Sequence, residues 1–314
     1  LPGVIVLQAD GDWSDKELGR IDQFVMRGGK ALLVLAGAVN MEAADATMKA
    51  TLSTRGLERL VAGYGIEMTK NLIVDGNGHV RIQVRGATGK MKWMDAPGVL
   101  EVPYEDDAKE DEQTLDNSFG GFFGLQELAF PYPSALVPHA AKQPAAHLTV
   151  EARSGATSTL MTGPSLDLKP RTDWKGTGKP AQHAIAVSVE GKLKSAFGNH
   201  PPQGIDIPKE SATSSRVLVI SSPQFLANPF ARASNPPPTP PRTLAKKNAG
   251  IDEELQELAI VYSRKYTGAT IMAFRNLVDW TSGDERLIPC SALLIDKPSE
   301  DQAGKPTKTD DAKN

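Results

Sequence analysis

The chain has 314 residues, a formal net charge of -3 and 40% hydrophobic residues. That length holds one large domain or two small ones around a proper core, and the mild charge argues against a nucleic-acid partner. The single cysteine, Cys290, leaves no intrachain disulfide, and no apolar run approaches the roughly 20 residues that span a bilayer.

The chain starts at Leu1-Pro-Gly, without an initiator Met, and runs straight into apolar residues. It reads as a fragment excised from a longer protein. Val4 to Leu7 is a continuous apolar run, the mark of a strand covered on both faces. A polar loop, Asp10-Gly-Asp-Trp-Ser14, follows. Ser14 and Glu17 have capping-box spacing, and Leu18, Ile21, Phe24 and Val25 then recur at helical spacing. Gly28-Gly29 closes that helix and Ala31 to Ala36 forms a second buried strand, which predicts a parallel strand-helix-strand unit.

Leu57, Leu60, Val61 and Tyr64 predict a further helix ending at Gly65, followed by Ile66 to Met68 and Asn71 to Asp75. The middle third changes character. An acidic loop runs from Glu105 to Glu112, Phe130-Pro-Tyr-Pro133 is a rigid turn, and four strand-like pieces follow: Ser134 to Val137, Thr157 to Met161, His183 to Val189 and Leu193 to Phe197. Arg216 to Ser222 returns to the buried-strand pattern. Asn235 to Arg242 is a polyproline-like loop. Two helices are expected at Glu253 to Tyr262 and Ala269 to Trp280, the second with Ile271, Phe274, Leu277 and Val278 on its apolar face. Arg286 to Ile295 reads as a final strand, and the charged residues from Asp296 onward as a disordered tail.

The fold class expected is α/β: a mostly parallel sheet flanked by helices, similar to class I glutamine amidotransferases or flavodoxin, with a β-rich middle segment. Residues 1–100 and 211–295 form a discontinuous α/β domain, 101–210 a β-rich insertion or second lobe, and 296–314 a charged tail.

Few motifs carry chemistry. Asp10 to Asp15 departs from an EF-hand loop, with Asp15 and Ile21 at its glycine and glutamate positions. Neither Gly86-Ala-Thr-Gly-Lys90 nor Gly176-Thr-Gly-Lys179 has phosphate-loop spacing, so no cofactor is expected. The five histidines, His79, His139, His147, His183 and His200, show no metal-ligand spacing. In hydrolase-like α/β folds the nucleophile sits on a tight turn directly after a buried strand. Here that turn is Gly37-Ala38-Val39, and neither alanine nor valine can be a nucleophile. Cys290 follows Pro289 inside an apolar run and suits a structural thiol. Parallel sheets bind ligands at the carboxyl ends of their strands, which singles out Gln8, Asp10, Asp12, Gly37, Asn40, Ser221, Ser222 and Gln224.

Three stretches, Leu18 to Val34, Leu57 to Asp75, and Arg216 to Phe225 with Phe274 to Ile288, resemble in order and spacing the extracytoplasmic domain of Gld-type (gliding-motility-associated) ABC transporter auxiliary proteins. That domain is related to the GIFT-type domain of intraflagellar transport proteins. The resemblance implies an amidotransferase-like scaffold lacking catalytic residues. It also implies a location on the extracytoplasmic, periplasmic face of the inner membrane, with membrane anchoring outside this fragment. The partners it implies are an ABC permease and its ATPase. Where the family often shows Gly-Asp-Ser-Asp-Phe, this chain has Ser221-Ser-Pro-Gln-Phe225. The functional expectation is a non-catalytic auxiliary domain binding a partner protein or a polymeric or lipidic cargo. The alternatives are a solute-binding domain with a pocket at the strand ends and an amidotransferase-like hydrolase.

Overall fold

The structure is a computed structural model describing residues 1–41, 48–86, 88–109, 112–171, 174–231 and 253–284. The proline-rich loop at 235–242, the expected strand at 286–295 with Cys290, and the tail from 296 lie outside the described residues.

The chain begins as the sequence predicts. β1 (Gly3–Leu7) leads to α1 (Asp15–Met26), and both halves of the Ser14–Glu17 capping box form. Gly28 and Gly29 take φ of 78° and 62°, a conformation glycine adopts without strain. β2 (Ala31–Leu35) follows, buried throughout and parallel to β1. The run is apolar throughout because its two faces enter different cores. Leu32 and Val34 meet Leu18 and Val25 of α1 together with Leu57, Leu60 and Tyr64, around α2 (Glu58–Gly63). Leu33 and Leu35 join a second core with Phe122, Phe130 and Leu277.

Beyond β2 come β3 (Val39–Met41), β4 (Lys49–Leu52), β5 (Ile66–Met68), β6 (Leu72–Asp75), β7 (His79–Arg85), β8 (Met91–Pro103) and β9 (Glu127–Pro131). They are followed by β10 (Leu136–Pro138), β11 (Ala146–Arg153), β12 (Ser158–Met161), β13 (Leu166–Asp167), β14 (Ala184–Gly191), β15 (Ser215–Ile220) and a long helix, α3 (Glu253–Ser282). The main sheet has the order β1-β2-β15-β14-β10-β5, with β11 also on β14.

This architecture corrects the expected fold class. Among the described residues, only β1–β2 and β2–β15 pair in parallel in the main sheet, and every pairing made by β14 and β10 is antiparallel. Three smaller sheets stand apart (β13-β4-β3, β12-β6 and β7-β8-β9), and the described residues hold only three helices. The molecule is therefore sheet-rich and mixed, not a helix-flanked, mostly parallel flavodoxin-like fold. A buried apolar run looks alike in either direction. β14 and β15 pair antiparallel without an intervening helix among the elements, so β14 cannot belong to a parallel crossover.

Two local readings also change. Leu193 to Phe197 is not a strand. Its amides at Ala196 and Phe197 and the Ser195 hydroxyl donate to the buried carboxylate of Asp22, which the Tyr64 hydroxyl also reaches at 2.7 Å. The two expected C-terminal helices are one continuous helix. Its mid-helix Gly268, a residue that weakens a helix by about 1 kcal/mol, is outweighed by burial of Tyr262, Tyr266, Ala273, Leu277 and Trp280. Of the apolar face expected, Leu277 is buried, whereas Ile271 is 62% and Val278 39% exposed.

Candidate functional site

β1, β2 and β15 lie in register, Leu7 beside Leu35 and Leu35 beside Ile220, so their carboxyl ends are level. A cleft of about 290 Å³ opens there. Gln8, Asp10, Asn40, Ser222 and Gln224 all line it, beside an apolar wall that includes Leu7, Val39 and Phe225. The other three residues singled out in the sequence do not line it, and Gly37 is buried against the Ser221 backbone. Ser221 is fully buried, its hydroxyl donating to the Ser134 and Ile185 carbonyls. Asp12 is exposed and pairs with the Arg55 guanidinium at 3.7 Å.

Hydrogen bonding divides the lining residues by role. Gln8 Oε1 accepts from the Gly37 amide at 3.1 Å, and its Nε2 donates to Asn40 Oδ1 at 2.6 Å. Asn40 Nδ2 donates to the Ala38 and Ser53 carbonyls. Both amides are thus engaged by the protein and form a polar floor. The Ser222 hydroxyl is likewise turned onto the Pro131 carbonyl. Asp10, Gln224 and the part of the Arg55 guanidinium not spent on Asn40 and Asp12 are the polar lining groups left to face an occupant.

Sequence reasoning missed Arg55. Its Nε donates to Asn40 Oδ1 at 3.3 Å, so the same floor that joins β1 to β3 also aims the guanidinium. Its backbone is left-handed, with φ of 52°, a conformation unfavourable for a residue with a Cβ by about 1–2 kcal/mol. Two contacts hold it there: the Trp13 amide donates to the Arg55 carbonyl at 2.8 Å, and the Arg55 amide donates to Ser53 Oγ at 3.2 Å. Residues kept in such conformations cluster at ligand sites. The local signal was the turn Thr54-Arg55-Gly56; nothing in its spacing announces Asn40 or Gln8 as neighbours.

The position of a strand-end nucleophile is closed. Ala38 and Val39 are fully buried, and a Cβ on Gly37 would stand 2.1 Å from the Ser221 carbonyl oxygen. Among the described residues, no group of three or more His, Cys, Asp or Glu side chains is placed to hold a metal.

Two carboxyls outside the cleft are shifted upward. Burial, together with the neighbouring Glu101 carboxylate, raises Glu127 to about 7. Burial pushes Glu151 up to about 7 as well; the Ser188 hydroxyl opposes the rise and Asp116 adds to it. For a carboxyl raised in the folded state, the unfolded chain ionises first. For buried Glu151, stability therefore falls as pH climbs from the ordinary carboxyl value to about 7, by at most about 3 kcal/mol; half-buried Glu127 contributes less, because water screens its charge. Glu151→Gln keeps the acceptor for Ser188 and removes the charge. It is expected to raise the melting temperature at pH 8.5 by several degrees and to change it little at pH 4.5, as read by calorimetry at both pH values.

A sequence profile of the family described as ABC-type uncharacterized transport system matches residues 1–249. The chain belongs to that family. The family consists of auxiliary components of ABC-type transport systems, and the match takes in every residue lining the cleft. No curated protein and no solved structure matches the chain. Among the described residues, no helix is long and apolar enough to cross a membrane.

Proposed function

We propose that this chain is a non-catalytic, Gld-type auxiliary domain with a GIFT-like relationship. It works on the extracytoplasmic side of an ABC transport system and binds a partner protein or cargo group in the cleft at the ends of β1, β2 and β15. The observation that carries the reading is the form of that cleft within a transport-auxiliary family. The strand-end position used by nucleophiles is packed against backbone, while a strained arginine and a hydrogen-bonded amide floor line the opening. Ligands of open sheets with parallel strands enter at this end.

Co-purification of the full-length protein with the permease and ATPase of its own system tests the assignment. Retention of both supports it; isolation without either, together with turnover of an ester or amide substrate, would replace it with the hydrolase reading. Arg55→Gly tests the cleft. Because glycine accepts a left-handed backbone, the variant should unfold within about 1 kcal/mol of the wild type. It should nevertheless lose the thermal stabilisation that a cleft-binding solute gives the parent. Unchanged stabilisation in the variant would remove the arginine from the site.

A further inference from the structure

The hairpin of β7 and β8 presents two unlike faces. Val80, Ile82 and Val84 are buried, packed in the core that contains Leu255, Leu258 and Tyr262 of α3. The alternate residues face outward as cross-strand pairs: Arg81 beside Asp95, Gln83 beside Trp93, and Arg85 beside Met91. Trp93 is 54% and Met91 49% exposed, and Trp93 is the only aromatic side chain this open among the described residues. The Arg81 guanidinium lies 5.0 Å from the indole centroid, and its Nε is 2.9 Å from Asp95 Oδ1. Arg85 and the turn residue Lys90 are exposed at the same end of the hairpin.

Size and charge decide what this face fits. Strand spacing and rise give the six outer residues a footprint of about 15 by 10 Å. A stable protein interface buries about 800 Å² on each partner, far more than this face supplies. A lipid interface asks for less: a few apolar side chains, an indole at headgroup depth, and cations for anionic headgroups. The outer face carries Arg81, Arg85 and Lys90 against one acid of its own strands, Asp95; from α3, Glu254 is spent on Lys92 and Glu257 accepts from the Arg85 amide.

We propose that the outer face of the β7–β8 hairpin docks on an anionic lipid bilayer. In that arrangement Trp93 and Met91 enter the headgroup boundary, and Arg81, Arg85 and Lys90 meet the lipid phosphates. This contact is separate from the cleft and does not depend on its occupant.

Cosedimentation of the full chain with vesicles tests it, using 3:1 phosphatidylcholine:phosphatidylglycerol and pure phosphatidylcholine at low and high salt. The wild type should partition onto the acidic vesicles at low salt and weaken by about tenfold or more as salt screens the cations. M91S/W93S and R85E/K90E should each lose at least about tenfold in partitioning while keeping the wild-type melting temperature, because these side chains are exposed. Failure of the wild type to partition, or equal partitioning by the variants, overturns the proposal. Binding to soluble polyglutamate with no binding to vesicles also overturns it and marks the face as a site for an acidic polymer.

Discussion

Asp75→Ala is expected to destabilise the fold by about 3–5 kcal/mol, the range for stripping several buried donors of one acceptor. Asp75 is fully buried at the end of β6. Its Oδ1 accepts from Thr157 Oγ1 at 2.5 Å and from the amides of Asn77 at 2.9 Å and Gly78 at 3.1 Å; its Oδ2 accepts from Ser158 Oγ at 2.7 Å. One carboxylate thus closes the turn after β6 and ties it to the start of β12, the strand that pairs with β6. Asp75→Asn separates charge from geometry. It keeps the oxygen that serves three donors and offers an NH₂ to the Ser158 hydroxyl, which can accept, so the loss should be about 1–2 kcal/mol. Burial pushes this carboxyl up, but the four hydrogen bonds together outweigh it and the net shift is downward. A depressed carboxyl stabilises the fold above its unfolded value, and that contribution disappears as pH falls through the folded value. Urea unfolding at pH 7 and pH 3 should show the difference between wild type and Asp75→Asn shrinking at the lower pH. A difference independent of pH would mean that the charge plays no part.

Local chemistry in this chain was legible, and long-range pairing was not. The Ser14–Glu17 box, the left-handed Gly28-Gly29 stop and the buried run of β2 are written in consecutive residues, and each forms as expected. Strand direction is set by partners far along the chain. β15 pairs parallel to β2 across more than a hundred residues, while β14 brings an antiparallel neighbour into the same sheet. The hairpin at β7 carried a readable period of two, with Val80, Ile82 and Val84 alternating with Arg81, Gln83 and Arg85. The long apolar runs drew the reading toward a parallel sheet instead. The cleft shows the same division. Five of the residues chosen from strand ends do meet there, but Gln8 and Asn40 spend their amides on each other and on backbone. Arg55 arrives from a turn whose contacts with β1 and β3 no local pattern encodes.

Gly37→Val is expected to abolish stable folding, and Gly37→Ala to lower stability by at least about 3 kcal/mol, the upper range for overpacking a close-packed interior. The reason is a backbone approach rather than a special dihedral angle. A Cβ at residue 37 would lie 2.1 Å from the Ser221 oxygen, 3.0 Å from its carbonyl carbon and 3.1 Å from Pro223 Cδ. That carbonyl cannot swing aside freely. It accepts from the Ser134 amide at 3.1 Å, while the Ser221 amide donates to the Ile185 carbonyl at 2.9 Å and its hydroxyl to the Ser134 carbonyl at 2.5 Å. Any shift therefore spreads into β14 and into the segment before β10. The Gly37 amide also donates to Gln8 Oε1, so a displaced residue 37 would tilt the amide floor beneath Arg55. Gly11→Ala is the matched control: it sits in the loop after β1, a Cβ there meets nothing within 4 Å, and its effect should stay within about 0.5 kcal/mol. Denaturant midpoints for the three variants measure the difference. Comparable midpoints for Gly37→Ala and Gly11→Ala would show that the sheet end can relax and that residue 37 has room for a side chain. A large gap between them would mean that in this scaffold the residue directly after β2 is held by the neighbouring strand's backbone. Any occupant of the cleft must then be recognised by side chains from the surrounding loops, with Arg55 foremost among them.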